Sequence, residues 1–120
     1  MKTFLSITAF LEGITGVVLI LVPQWIVYLL FSIPLEGTGG MIAARIAGIA
    51  IIFLALLCWF SRNEKSNHIL MTSLLFYNLA IIAIFLDAFF VHYLSGFFFW
   101  LVVLAHTALG VWGLFVMRKH

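Results

Sequence analysis

Charged side chains are scarce in this chain of 120 residues, since Asp, Glu, Lys and Arg together make up only 8% of it. A water-soluble domain of this size needs many more polar groups to cover its surface. Cysteine is scarcer still, and the single Cys58 excludes an intrachain disulfide, a paired-thiol redox centre and a cysteine-rich metal site. Hydrophobic residues make up 66% of the chain. The composition therefore predicts an integral membrane protein.

Proline is also rare, and the only two, Pro23 and Pro34, leave four long apolar runs uninterrupted. A helix needs roughly 20 residues to cross a hydrocarbon layer about 30 Å thick. The runs are long enough for this, and they lack the alternation of polar and apolar residues that a membrane β-barrel requires. We expect one all-α membrane domain, a four-helix bundle with spans at about residues 4–22, 40–60, 68–90 and 96–117.

Basic residues outside the spans indicate the orientation of the bundle. The segments 23–39 and 91–95 contain none, whereas the termini and the loop between the second and third spans contain Lys2, Arg62, Lys65, Arg118 and Lys119. Under the positive-inside rule both termini and that loop are cytoplasmic. We expect the protein in a plasma membrane of the prokaryotic inner-membrane type. Charges this scattered form no stripe for nucleic acid.

The outer connection, residues 23–39, is too apolar for a solvated loop and contains Trp25 and Tyr28, which are typical of a membrane interface. A short helix that begins at Pro23 and ends by Pro34 would lie in the outer interface. The alternative is a first helix that kinks at Pro23 and continues.

Each span contains a strongly polar side chain in its interior: Glu12, Arg45, Asn78 and His106. An ionisable residue within hydrocarbon costs about 3 kcal/mol or more, so such residues usually face the bundle interior and often mark a function. Counting about 1.5 Å per residue from the outer ends places Glu12, Asn78 and His106 at the midplane. We predict that these four residues form a ligand-binding or proton-linked site.

The partner of Arg45 is left open by the sequence. Its long side chain either extends outward to Asp87 or reaches inward to Glu12 and helps to hold that carboxylate ionised. If it extends outward, burial favours neutral Glu12, with His106 or Asn78 as hydrogen-bond partner. Asn78 and Asp87 are nine residues apart and lie on opposite faces of their helix, so they do not both face one interior.

Four further residues are secondary candidates for the site: Tyr77, Asp87, Trp25 and Trp100. Tyr77 shares a face with the small residues of the third span, and the two tryptophans belong to a concentration of aromatic residues on the outer side. These aromatics are either an interfacial belt with packing or a vestibule for a lipid, a quinone or another flat lipophilic molecule. Aromatic faces around Glu12 would also suit a cation.

No sequence pattern indicates catalysis or a cofactor. His106 is the one histidine in the middle of a span, and a lone histidine there is more often a hydrogen-bonded core residue than a haem or metal ligand. No nucleophile–base pair is recognisable either. We therefore expect no catalytic residue, no metal and no cofactor.

Two stretches resemble known families. AFLEGITG, with Glu12 in the first of four helices, resembles the first-helix glutamate of small multidrug resistance transporters, which implies exchange of protons for lipophilic cations. That family's tryptophan and glycine signature has no counterpart in LLFYNLAIIAIFLDAFF. The layout, with a first helix that ends at Pro23 and with AARIAG in the second span, resembles DoxX-like small membrane proteins. Their functions range from quinol-oxidase subunits to redox-associated membrane partners, and no catalytic residue is carried over.

The sequence thus supports two hypotheses on function. In the first, the polar residues bind or transport a small lipophilic or cationic ligand, with protonation of Glu12 linked to occupancy. In the second, the chain is a non-catalytic structural or accessory subunit whose polar residues fix packing in a homo-oligomer or a membrane complex. Small residues on several helix faces predict a homodimer or another membrane partner besides the lipid.

Overall fold

Five α-helices form most of the computed structural model, which describes all 120 residues. Four of them are long and apolar enough to cross a membrane. These four lie where the spans are predicted, with no end displaced by more than three residues. In chain order the helices are α1 (Lys2–Leu21), α2 (Pro23–Phe31), α3 (Thr38–Ser61), α4 (His68–Phe90) and α5 (Phe99–Lys119).

The short helix α2 is a separate element and not a continuation of α1. Val22, between them, has φ −136° and ψ 58°, which is outside the helical region. Pro23 then begins α2 at a position where its missing N–H costs no helical hydrogen bond. Ser32 ends α2 in the left-handed conformation, with φ 55°. The helix expected after Pro23 is therefore present and ends three residues before Pro34.

The four long helices associate mainly as two pairs, α1 with α3 and α4 with α5. Two glycines allow α1 and α3 to cross closely. A Cβ added to Gly16 would lie 2.7 Å from the carbonyl oxygen of Gly48, and one added to Gly48 would lie 2.8 Å from the carbonyl oxygen of Gly16. The backbones thus touch where no side chain fits, as small residues permit in membrane helices.

Packing joins the two pairs at the termini end, which holds Met1, the loop 62–67 and His120. Phe4 of α1 packs edge-on against Trp112 of α5, with ring centroids 5.3 Å apart. The Phe4 ring also lies over Gly113, where an added Cβ would be 3.3 Å from it. Phe4 belongs to a core cluster that also includes Leu70 and Val116.

Backbone hydrogen bonds join the pairs at the opposite end, the α2 end. The N–H groups of Gly96 and Phe98 donate to the carbonyls of Leu30 and Leu29, at 2.8 and 3.0 Å. These carbonyls are in the last turn of α2, where no helical donor is available. The connection between α4 and α5 therefore caps α2 and fixes it to the rest of the molecule.

Most apolar side chains of the long helices point away from the protein. Only 23 of 120 residues are buried, and large side chains such as Phe60, Phe76 and Leu104 are well exposed. An exterior of this kind suits contact with lipid and not with water. Three of the four side chains predicted to form a site, Glu12, Asn78 and His106, lie between the core cluster of the termini end and a second cluster, around Phe85 and Phe99, at the α2 end.

Candidate functional site

Glu12 lies near the middle of α1, as the eleventh of its 20 residues, and is only 5% exposed. The hydroxyl of Tyr77 in α4 donates a hydrogen bond to Glu12 Oε2 at 3.0 Å. Tyr77 belongs to the other helix pair. The bond therefore joins the two pairs near the middle of the long helices, between the contacts at the two ends.

Asn78, the residue after Tyr77, is 1% exposed and is held on both sides. Its Nδ2 donates to the carbonyl oxygen of Leu74 at 2.7 Å, and its Oδ1 lies 2.8 Å from Nδ1 of His106 in α5. Because an amide oxygen only accepts, His106 Nδ1 must carry the hydrogen and donate it. In the neutral ring, Nε2 of His106 is then left as an acceptor.

The rings of Tyr77 and His106 connect these two sets of hydrogen bonds. They meet edge to face, with centroids 5.8 Å apart. Glu12, Tyr77, Asn78 and His106 therefore form one continuous group, which we call the polar centre. Three of the four primary candidates come together in it, and Tyr77, a secondary candidate, is the link between them.

Some polar atoms in and beside the polar centre have no partner within the chain. Glu12 Oε1 and His106 Nε2 accept no hydrogen bond from the protein. Thr8 Oγ1 is fully buried and is also unpartnered. Thr8 precedes Glu12 by four residues, which places both on one face of α1. Thr8 is not among the site residues predicted from the sequence, although its spacing from Glu12 indicates a shared helix face.

Arg45 lies outside the polar centre and contacts neither of the carboxylates considered for it. Its Nε donates to the carbonyl oxygen of Ile20 at 3.2 Å, and the residue is exposed. Ile20 is in the last turn of α1, where carbonyls lack helical donors and the helix dipole favours a cation. Arg45 therefore caps the C-terminus of α1.

Asp87 is likewise separate from the polar centre, on the exposed side of α4. Its Oδ2 lies 3.4 Å from Nε2 of His92, and both side chains are more than half exposed. An exposed pair of this kind contributes little stability. The opposite-face relation with buried Asn78 is the one expected from their spacing.

The two tryptophan candidates occupy different surroundings. Trp25 in α2 is 58% exposed, whereas Trp100 is 46% exposed and packs edge-on against Phe89 and Phe99, with ring centroids 5.0 and 5.1 Å apart. Phe99 in turn contacts Phe31 of α2. Trp100 thus belongs to an aromatic cluster that fills the α2 end, and neither tryptophan makes a hydrogen bond to the polar centre.

No group of three or more His, Cys, Asp or Glu side chains is placed to hold a metal ion. Comparisons with protein-family models, with curated proteins and with solved structures found no match.

Proposed function

We propose that this chain is a small membrane protein that binds or transports a small lipophilic ligand, in particular a cation, and that the ligand exchanges with a proton on Glu12. The observation that supports this is the isolation of the Glu12 carboxylate. The carboxylate lies near the middle of α1 and accepts one hydrogen bond, from the Tyr77 hydroxyl. No basic side chain is paired with it. A buried carboxylate without a cation is costly unless it takes up a proton or an external cation.

The remaining members of the polar centre have distinct roles in this proposal. Tyr77 holds Oε2 by its hydroxyl, so Oε1 is left for the ligand or the proton. Asn78 fixes the plane of the His106 ring through Nδ1. The aromatic rings of Tyr77 and His106 supply flat, polarisable surfaces of the kind that cations and flat lipophilic molecules contact.

The proposed setting is a four-helix bundle in a plasma membrane of the prokaryotic inner-membrane type. The basic residues outside the helix interiors lie in the termini or in the 62–67 region, and the connections at the α2 end contain none. By the positive-inside rule the termini end is cytoplasmic. The polar centre is then near the bilayer midplane, where ligand sites of membrane transporters lie.

The proposal can be tested by equilibrium binding to the purified protein in detergent. The probe is tetraphenylphosphonium, a permanently charged lipophilic cation. The wild type should bind it more weakly as the pH falls, because protons compete for Glu12. Glu12→Gln should bind at least about tenfold more weakly and without pH dependence, since a hydrogen bond or contact to a charged group is worth about 1.5–3 kcal/mol. Glu36→Gln, which removes an exposed carboxylate in the α2–α3 connection, is the matched control and should bind like the wild type. Equal binding by Glu12→Gln and wild type would contradict the proposal.

A second candidate function is a structural or accessory subunit of a homo-oligomer or a membrane complex. The observation in its favour is that each polar atom of the Asn78 side chain has a partner, and that the bond to His106 joins two helices, as a residue that fixes helix register would do. Native mass spectrometry of wild type and Glu12→Gln separates the two functions. An adduct lost in the variant at constant subunit number supports ligand binding, whereas loss of assembly without any adduct supports the subunit role.

A further inference from the structure

An apolar groove runs along the outside of the α1–α3 pair and does not include any residue of the polar centre. Its volume is about 350 Å³, and seven of its eight lining residues are hydrophobic. The floor of the groove is made of small residues, and Gly13 of α1 faces Ala55 of α3 there. A Cβ added to Gly13 would lie 3.9 Å from the Cβ of Ala55. Phe10 and Trp59 form part of the walls. The groove extends along α1 from Ala9 to Val17, which is about 12 Å at about 1.5 Å per residue.

A cationic side chain is placed at the termini end of this groove. Trp59, which lines the groove, is two residues before the end of α3. The guanidinium carbon of Arg62 lies 3.5 Å from the centroid of the Trp59 ring, and one guanidinium nitrogen donates to the Trp59 carbonyl oxygen. A guanidinium has five N–H donors in total. Arg62 is thus fixed over the groove wall with most of its donors available.

We infer that the groove is a binding site for an anionic phospholipid, with an acyl chain along the groove and the phosphate on Arg62. Charge complementarity carries this choice of occupant. A guanidinium matches phosphate in a planar, two-point contact, and stacking on an aromatic ring pre-orients it. The small floor residues leave room for a methylene chain. Arg62 directly follows α3, which is long and apolar enough to cross a membrane, so in a bilayer it would lie near the lipid headgroups. The site does not include Glu12. It would add recognition of an anionic phospholipid to the function proposed for the polar centre.

Native mass spectrometry of the delipidated protein tests the inference by competition between phosphatidylglycerol and phosphatidylcholine with identical acyl chains. Both lipids carry a phosphate, but the choline ammonium of phosphatidylcholine neutralises its charge, so we expect phosphatidylglycerol to bind about tenfold more tightly. Inorganic phosphate alone should not compete, because it has no chain to occupy the groove. Equal binding of the two lipids, or displacement of the lipid by inorganic phosphate, would overturn the inference.

Two substitutions examine the two halves of the site separately. Arg62→Gln should abolish the preference for phosphatidylglycerol, whereas Lys65→Gln, which removes a charge of the same sign in the same loop, should retain it. Gly13→Leu places a side chain in the groove and should weaken both lipids about tenfold. Circular dichroism and the melting temperature report whether Gly13→Leu is folded. The comparison of Arg62→Gln with Lys65→Gln tests the phosphate contact and does not depend on the folding of Gly13→Leu. The inference fails if Arg62→Gln keeps the preference or if folded Gly13→Leu binds lipid like the wild type.

Discussion

The crossing of α1 and α3 gives a sharp prediction, because two glycines one turn apart on α1 meet very different surroundings. In Gly16→Ala the new Cβ would lie 2.6 Å from Ile52 Cγ1 and 2.7 Å from the carbonyl oxygen of Gly48. Carbon contacts are normally at about 3.5–4.0 Å, so the helices must move apart by roughly 1 Å. Overpacking of this kind costs about 1–3 kcal/mol.

Gly13→Ala is the matched control on the same helix. Its Cβ would meet only the Cβ of Ala55, at an ordinary 3.9 Å. Replacement of glycine by alanine in a helix interior should stabilise by roughly 0.5–1 kcal/mol where there is space. The two variants should therefore differ by about 1.5–4 kcal/mol, the sum of the two effects.

Reversible unfolding in mixed detergent micelles, followed by circular dichroism, measures the free energy of unfolding of both variants. The transition of Gly16→Ala should occur at a lower fraction of denaturing detergent than that of the wild type, and the transition of Gly13→Ala at an equal or higher one. If the two variants unfold together, the close crossing at Gly16 and Gly48 is refuted, and with it the register that places Arg45 near Ile20.

Two further predictions concern the polar centre and the orientation. A double-mutant cycle of Tyr77→Phe and Glu12→Gln should give a coupling free energy of about 1 kcal/mol or more, because each substitution removes or weakens the same hydrogen bond; additive effects would contradict a direct bond. A membrane-impermeant maleimide added to intact cells should label Ser95→Cys, whereas Ser66→Cys should be labelled only after lysis, because the positive-inside rule places residue 66 on the cytoplasmic side. The native Cys58 is buried and should add little background labelling. The opposite pattern would reverse the proposed orientation.

The helices could be predicted from the sequence because their signals are local. Four apolar runs of sufficient length fix four long helices, and Pro23 marks the start of α2 through its missing N–H. The shared depth of Glu12, Asn78 and His106 also follows from counting at a constant rise per residue. These three residues do come together, with Tyr77 between Glu12 and His106.

The partner of Arg45 could not be predicted, because it depends on how two helices cross. Arg45 is three residues before Gly48, so the contact of Gly48 with Gly16 brings it close to the last turn of α1. At that turn the carbonyl oxygen of Ile20, which has no helical donor, lies nearer to the Arg45 guanidinium than the carboxylate of Glu12 or Asp87 does. Periodicity gives the face on which a residue lies, but neither the crossing point nor the end of the neighbouring helix.

The hydrogen bond between Glu12 and Tyr77 also bears on how the two helix pairs are held together. The two helix pairs are joined by apolar packing of Phe4 at the termini end and by backbone hydrogen bonds to α2 at the other end. Between these contacts, the Glu12–Tyr77 bond links them through a group that can change charge. Under the proposed function, a proton or cation on Glu12 would change the strength of that bond and with it the packing of one pair against the other. Ligand binding and helix association would then be linked equilibria, and a ligand would favour whichever packing of the two pairs it binds better. Tyr77→Phe tests this coupling, because it removes the hydrogen bond between the pairs and leaves the contacts at both ends and the Glu12 carboxylate in place.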